Sequence, residues 1–394
     1  MLPVRRNLSL FKWNNFFMYL WPLSAVGIIY AQSITGSYAA AALFFSIYVM
    51  VQSLAELPTG IMSDKWSRRK TMIVSGVLYI ASSMCIALAG NFNNIWILYS
   101  GAVFWGISEA FRSGTDDALM YETMTDLRMK PKYDIVFSSA KIWRYSGAAV
   151  ATFVAVPVLY FFNMNTLAWI CLIPNIGQLI VSSMFIEPKS FHKNDLGSMR
   201  HFLAALKNFR HNKNLRRIAV GQIISESWGE ANYRINSIYA NAFVPIWAID
   251  IVVFFSRVFS AIGFYIAMQM RKIGLLKMAL VSQVYKFIVM AIGLAFNNFL
   301  SPWTLSAIFL GSGGERTAEN ALLQNEFSDE MRATMMSIVS IFGGILTAAC
   351  FWFFGLVADK WSIYIALLSL LAYKGLVVLY WWGLKQGISN LSNR

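Results

Sequence analysis

Several charged side chains stand inside otherwise apolar runs, and their spacing carries the first hint of chemistry. Glu109, Arg112 and Asp116 follow one another at three and four residues, which on a helix puts them on one face. Lys141 and Arg144 repeat the spacing of three. Gln222, Glu226, Glu230 and Arg234 are each four apart, a polar stripe along one helix. Arg257 follows, and then a mixed set of Lys286, Glu315, Arg316 and Glu319. A carboxylate kept from water can exchange a proton near neutral pH when desolvation and a nearby base compete. Glu109, Glu226 and Glu230 are therefore candidates for proton coupling. Arg144, Gln222, Arg234, Arg257 and Lys286 are candidates for contact with a polar or anionic solute. The plainer alternative is that most of these ions pair to hold helices together.

Enzymatic chemistry finds little footing. No His, Cys or Ser cluster with catalytic or metal-ligand spacing falls in the apolar runs, and His192, His201 and His211 are nine and ten apart. Cys85, Cys171 and Cys350 sit in three separate runs, so a disulfide framework is not expected. The expectation is a protein that is not an enzyme and has no metal or cofactor.

The elements that carry these charges follow from composition. The chain has 394 residues, 57% hydrophobic and 13% charged, where a soluble domain carries about 25% charged residues. The apolar residues gather into runs of about 20, the length of a helix crossing a bilayer. Period-2 alternation is absent, which excludes a barrel. The reading is an all-α membrane protein of twelve spans, near 11–32, 38–59, 72–90, 95–121, 135–160, 165–186, 216–240, 246–270, 275–296, 302–326, 333–357 and 362–384. Arg5 and Arg6 precede no small-residue cleavage site, so no signal peptide is expected.

An ion at the bilayer centre costs about 2.5–3.5 kcal/mol, so the charges must face the protein interior. A turn near Arg128–Met129 sets Asp116 level with Lys141, with Arg144 roughly 6 Å from the level of Glu109. On this reckoning Glu109 has no acid or base at its own depth. A turn near Ala242 brings Arg257 within reach of Glu226 or Glu230. Outside the spans, every Lys and Arg but Lys360 lies on the side shared by both termini, which places the termini in the cytoplasm. Topology thus accounts for the net charge of +14, and no nucleic-acid partner is needed.

A polar stretch from Glu187 to Arg217 separates the spans six and six. The expected organisation is a bundle over 1–186, a cytoplasmic linker over 187–215 and a second bundle over 216–394. The halves echo each other at an offset of 203 residues: Gly60 with Gly263, Arg68-Arg69 with Arg271-Lys272, and DDALMYE with ENALLQN. GSGGE, Gly311 to Glu315, suggests close helix packing by small residues rather than phosphate binding. The stretch ELPTGIMSDKWSRRKT packs Asp64, Lys65, Arg68, Arg69 and Lys70 between two apolar runs.

G-I-M-S-D-K-W-S-R-R-K resembles the signature loop of the major facilitator superfamily, G-x-x-x-D-R/K-x-G-R-R-R/K, with Ser67 in place of the usual Gly. The resemblance extends through the span count, linker and repeat. It implies two six-helix pseudo-repeats, a monomer, and a secondary transporter of a small molecule, to which the buried carboxylates add protons as the expected coupling ion. The substrate site would lie near the midplane between the halves, in the plasma membrane of a bacterium. The loop would act as a gating clamp. In that role Gly60, Asp64, Lys65, Arg68 and Arg69 work with Asp116, Asp117 or Glu122, and Asp64 meets the start of span 11 near Arg332 to Met335.

Direction is less sharply marked. Exporters of the superfamily carry R-x-x-x-G-x-G in span 4 and G-P-x-x-G-G in span 5; here Ala102 stands at the Arg position and RYSGAAVATFVAV lacks Gly-Pro. Against this, ELPTG and SEAFRSGTDDALMYE resemble bacterial members grouped with exporters, and the balance falls to proton-coupled export of a drug-like or metabolite substrate. The alternative is an importer or facilitator of a small polar or anionic solute. A non-transporting membrane sensor is the third reading, and the complete clamp counts against it.

Overall fold

The computed structural model describes residues 3–129, 133–189, 207, 209–327 and 332–392. Every regular element among them is helical. The helices are α1 (Asn7–Tyr19), α2 (Gly27–Thr35), α3 (Tyr38–Lys65), α4 (Arg68–Phe92), α5 (Ile95–Arg112), α6 (Thr115–Asp126), α7 (Tyr133–Phe161), α8 (Met164–Ile170) and α9 (Leu172–Met184). They continue as α10 (Lys213–Ala240), α11 (Ile246–Met270), α12 (Leu275–Phe296), α13 (Ser301–Ser306), α14 (Ser312–Asn325), α15 (Arg332–Lys360) and α16 (Ile363–Ser392).

Not every expected span is one straight helix. The first is split between α1 and α2 around Pro22, which has no N–H to give a helix ladder. The fourth breaks between α5 and α6 at Gly114, whose φ of 72° only glycine adopts freely. The tenth runs through α13, a 3₁₀ turn over Ala307–Gly311, and α14. Among the described residues, eight segments are long and apolar enough to cross a membrane: Tyr38–Ser63, Arg68–Phe92, Ile142–Phe161, Met164–Met184, Ile246–Met270, Leu275–Phe296, Met335–Lys360 and Ile363–Gln386. The expected spans outside that set are the first, fourth, seventh and tenth, every third one. Those four carry the breaks or the charges. Large apolar side chains such as Phe153, Ile173, Val281 and Leu376 are exposed, as lipid-facing residues are. The chain is a multi-pass membrane protein.

The chain forms two compact units, Met1–Gly36 with Phe44–Ser198, and Ser37–Leu43 with Met199–Arg394. In the first, Leu10, Phe11, Met72, Leu119, Met120, Val181 and Phe185 share a core. In the second, Leu215, Ile218, Met278, Leu323, Met335 and Trp381 do so. Close backbone approach holds part of the second unit together. A Cβ on Gly313 would lie 2.1 Å from the Gly263 carbonyl carbon, so the GSGGE glycines let α14 press against α11. The same unit contains the first turn of α3, whose Tyr38 and Ala39 N–H groups donate to the Asp359 carboxylate at 2.7 and 2.8 Å.

Candidate functional site

In the first unit the polar cluster is built on α5. Trp105, Glu109 and Arg112 fall at i, i+4 and i+7, hence on one face. Glu109 is buried at 6% exposure and is not alone at its depth, contrary to the expectation. Arg112 Nη2 reaches back one turn to Glu109 Oε2 at 2.6 Å. From α4, the Tyr79 hydroxyl donates to Glu109 Oε1 at 2.7 Å and accepts Trp105 Nε1 at 2.9 Å. Tyr48 stacks on Trp105 with centroids 4.2 Å apart, and Trp21 meets it edge-on at 4.5 Å. Arg112 also acts electrostatically on Tyr19. The Tyr19 ring lies 4.3 Å beneath the Arg144 guanidinium. Arg144 Nε is buried with no hydrogen-bond partner among the described residues. The result is a satisfied carboxylate, an aromatic wall and one further cation.

Asp116 lies beyond a break in the helix and still acts electrostatically on Arg112. The break at Gly114 puts it in the first turn of α6, buried at 4%, where Asn14 Nδ2 approaches its Oδ1 at 3.5 Å. Uniform helical spacing across 109–116 assumed an unbroken helix, and glycine interrupts it. The side chains of Asp64, Lys141, Arg271 and Arg332 lie outside the described residues, and with them the expected Asp116–Lys141 pair and the seat of Asp64.

Beyond Asp64, the loop turns into α4 at Ser67. Ser67 has φ −173°, ordinary extended backbone, and its hydroxyl accepts the Lys70 N–H as the N-cap of α4. No positive φ is needed there, which is why Ser can replace the usual Gly. Arg68 donates to Glu122 Oε1 through Nε and Nη2, at 3.1 and 3.0 Å, and to Ser63 Oγ at 2.9 Å. The guanidinium of Arg69 turns instead to the Ser183 carbonyl at 2.6 Å. Glu187, read from sequence as the first residue of the linker, is docked here. Its carboxylate accepts the Arg68 and Arg69 N–H groups at 2.7 and 3.0 Å and the Ser67 hydroxyl at 2.6 Å. An acid at a helix N-terminus meets unsatisfied N–H groups and the positive dipole end. Gly60, Lys65 and Asp117 are exposed, and open space surrounds the Gly60 Cβ position.

In the second unit, α10 carries two polar faces. On one, Gln222 donates to Asn320 Oδ1 at 3.0 Å, Glu226 and Glu230 are exposed, and Arg316 of α14 acts on Glu226. Arg234 lies 5.4 Å over the Tyr233 ring, and Arg257 acts on Asp250, one helical face up α11. The other face enters a buried cluster that joins Lys286, Glu315 and Glu319 of the mixed set expected from sequence to further residues. Lys286 Nζ is bonded to Glu315 Oε2. Lys374 Nζ, fully buried, is bonded to Gln283 Oε1 and lies 3.6 Å from Glu315 Oε1. Gln283 Nε2 faces Glu319 Oε1 at 2.7 Å, Ser225 Oγ at 2.9 Å and Glu315 Oε1 at 3.0 Å. Trp228 forms the floor, its ring 3.9 Å from Lys374 Nζ.

Lys374 and Gln283 were missed from sequence. The available signal was a lone lysine in the run IYIALLSLLAYKGLVVLYWW, which no lipid-facing helix would retain cheaply. Two ammonium groups and two carboxylates make this cluster neutral in sum, the arrangement that buried ions require.

Residues 13–120 match the family model described as Major Facilitator Superfamily. Among solved structures, the nucleoside transporter NupG is similar at 14% identity and a TM-score of 0.79, covering 98% of this chain and 99% of its own. A bacterial homolog of the human lysosomal transporter Spinster matches at 10% identity, TM-score 0.79 and 98% of each chain. The human organic anion transporter MFSD10 (TETRAN) matches at 14% identity, TM-score 0.63, over 97% of this chain and 100% of its own. The fold along the chain's length is similar to that of these transporters, and the match to the superfamily's sequence is confined to residues 13–120.

Proposed function

We propose that this protein is a secondary active transporter that moves a small organic solute by alternating access, coupled to protons and working in the export direction. The observation that carries the reading is the Glu109 cluster. A buried carboxylate, held by Arg112 and Tyr79 beside an aromatic wall of Trp105, Tyr48 and Trp21, joins a titratable group to a surface suited to organic rings. The export direction rests on the likeness of ELPTG and SEAFRSGTDDALMYE to exporter sequences. A bacterial plasma membrane with both termini cytoplasmic follows from the charge pattern and that likeness. The loop Asp64 to Lys70 serves as the gating clamp in this scheme.

One observation favours a second reading. Arg144, whose buried Nε has no hydrogen-bond partner among the described residues, offers a cation to an anionic solute, as an importer or facilitator would use.

The test uses inside-out vesicles energised acid inside and followed with a pH-sensitive dye. Lipophilic cations, antibiotics, organic anions, nucleosides and sugars are added in turn. Proton release on adding a compound, absent in Glu109→Gln vesicles, is the expected result. Uptake of an organic anion that is lost in Arg144→Gln, without proton movement, would replace export by the second reading.

A further inference from the structure

We infer that Glu319 is a proton-binding site of the second unit, positioned by Gln283 within the buried cluster of α10, α12, α14 and α16. The inference rests on the proton-coupled reading and gives it a site outside the Glu109 cluster.

Glu319 is only 2% exposed, and its direct partner is a neutral amide, Gln283 Nε2 at 2.7 Å. Among the described residues no ammonium or guanidinium lies within ion-pair distance of it, because Lys286 is bonded to Glu315 and Lys374 to Gln283. Even the amide is contested. Its two hydrogens face three oxygens, those of Glu319, Glu315 and Ser225. Ser225 Oγ already donates to the Gly221 carbonyl and accepts Trp381 Nε1. A carboxylate sealed from water and met only by neutral donors, the shared Gln283 amide and the Ser225 hydroxyl, is poorly compensated. A proton on Glu319 removes that charge and supplies an O–H of its own.

An opposing tendency keeps the proton exchangeable. With Glu319 ionised the cluster is neutral, two lysines against two carboxylates; with Glu319 protonated it carries one net positive charge. Lys374 then rests on the Trp228 ring. Local bonding favours the acid and overall charge favours the carboxylate, which is the balance a coupling group needs. The surrounding charges are few. Glu226 faces it from α10, Lys286 from α12, Lys374 from α16, and Glu315 and Arg316 share α14. On α11, Asp250 and Arg257 act on each other. The step itself is simple: an O–H bond forms with a proton from water and breaks to return it.

The test needs no substrate. pH-difference infrared spectra of the purified, reconstituted protein report the C=O stretch of protonated carboxyl groups. A band that appears and vanishes with pH is expected in the wild type, lost in Glu319→Gln and retained in Glu230→Gln. If Glu319→Gln does not fold, Glu319→Asp keeps the acid and shifts the band in frequency. Absence of any such band, its survival in Glu319→Gln, or an unshifted band in Glu319→Asp would overturn the assignment. The two proposals fail separately. Vesicles that still couple protons in Glu319→Gln refute this site and leave transport standing. Wild-type vesicles that never move protons, with the band assigned to Glu319, refute coupling and leave the site.

Discussion

Lys374 has no exposed surface, and its charge is tolerated only through Gln283, Glu315 and the Trp228 ring. Removing one partner of such a set leaves an uncompensated buried charge, at a cost of about 3–5 kcal/mol. Lys374→Met should therefore lower thermal stability sharply in detergent. Lys374→Met with Glu319→Gln removes one charge of each sign and should recover most of the loss. Equal losses in the single and double variants would show that the lysine matters for packing rather than for charge. Glu109 is held differently, by a cation one turn away on its own helix, and so depends less on neighbouring helices.

At the scale of elements, α4 shows how a turn can be rebuilt without its usual glycine. Ser67 caps the helix and Glu187 closes over the first N–H groups. Ser67→Gly should cost a few tenths of a kcal/mol and Ser67→Ala about 1 kcal/mol, read by thermal unfolding. A larger penalty for glycine than for alanine would contradict the cap. The contact of α11 with α14 is less forgiving. A methyl on Gly313 would meet backbone atoms of Gly263 and Phe264 at 2.1–2.3 Å. Backbone cannot rotate aside, so Gly313→Ala should destabilise by about 1–3 kcal/mol. Loss of folded protein on size exclusion checks it.

For the molecule as a whole, the proposed clamp makes a functional prediction. Asp64→Asn should abolish solute-driven proton movement in vesicles while leaving membrane insertion and thermal stability near wild type. Full transport in that variant would reduce the loop to a topology anchor. The internal repeat also reads differently once folded. Gly60 sits in open space while Gly263 is pressed against the Leu310 carbonyl, so the two matched glycines do not share a packing role. Asp116 and Glu319, matched by the same offset, are both buried acids, at 4% and 2% exposure.

Long apolar runs determined, without any coordinates, that this chain is helical and crosses a membrane. The reason is local: a segment in hydrocarbon must satisfy its own backbone, and about 20 apolar residues are enough to declare that. Charges in those runs likewise declared a polar interior. Which charges meet was decided only by tertiary structure. Gly114 set Asp116 on a separate helix from Glu109, Glu187 came to cap α4, and Lys374 came to share a cluster with Gln283, 91 residues away. Helix rotation and breaks set those meetings, and a rotation of one residue, about 100° on a helix, is enough to exchange one partner for another.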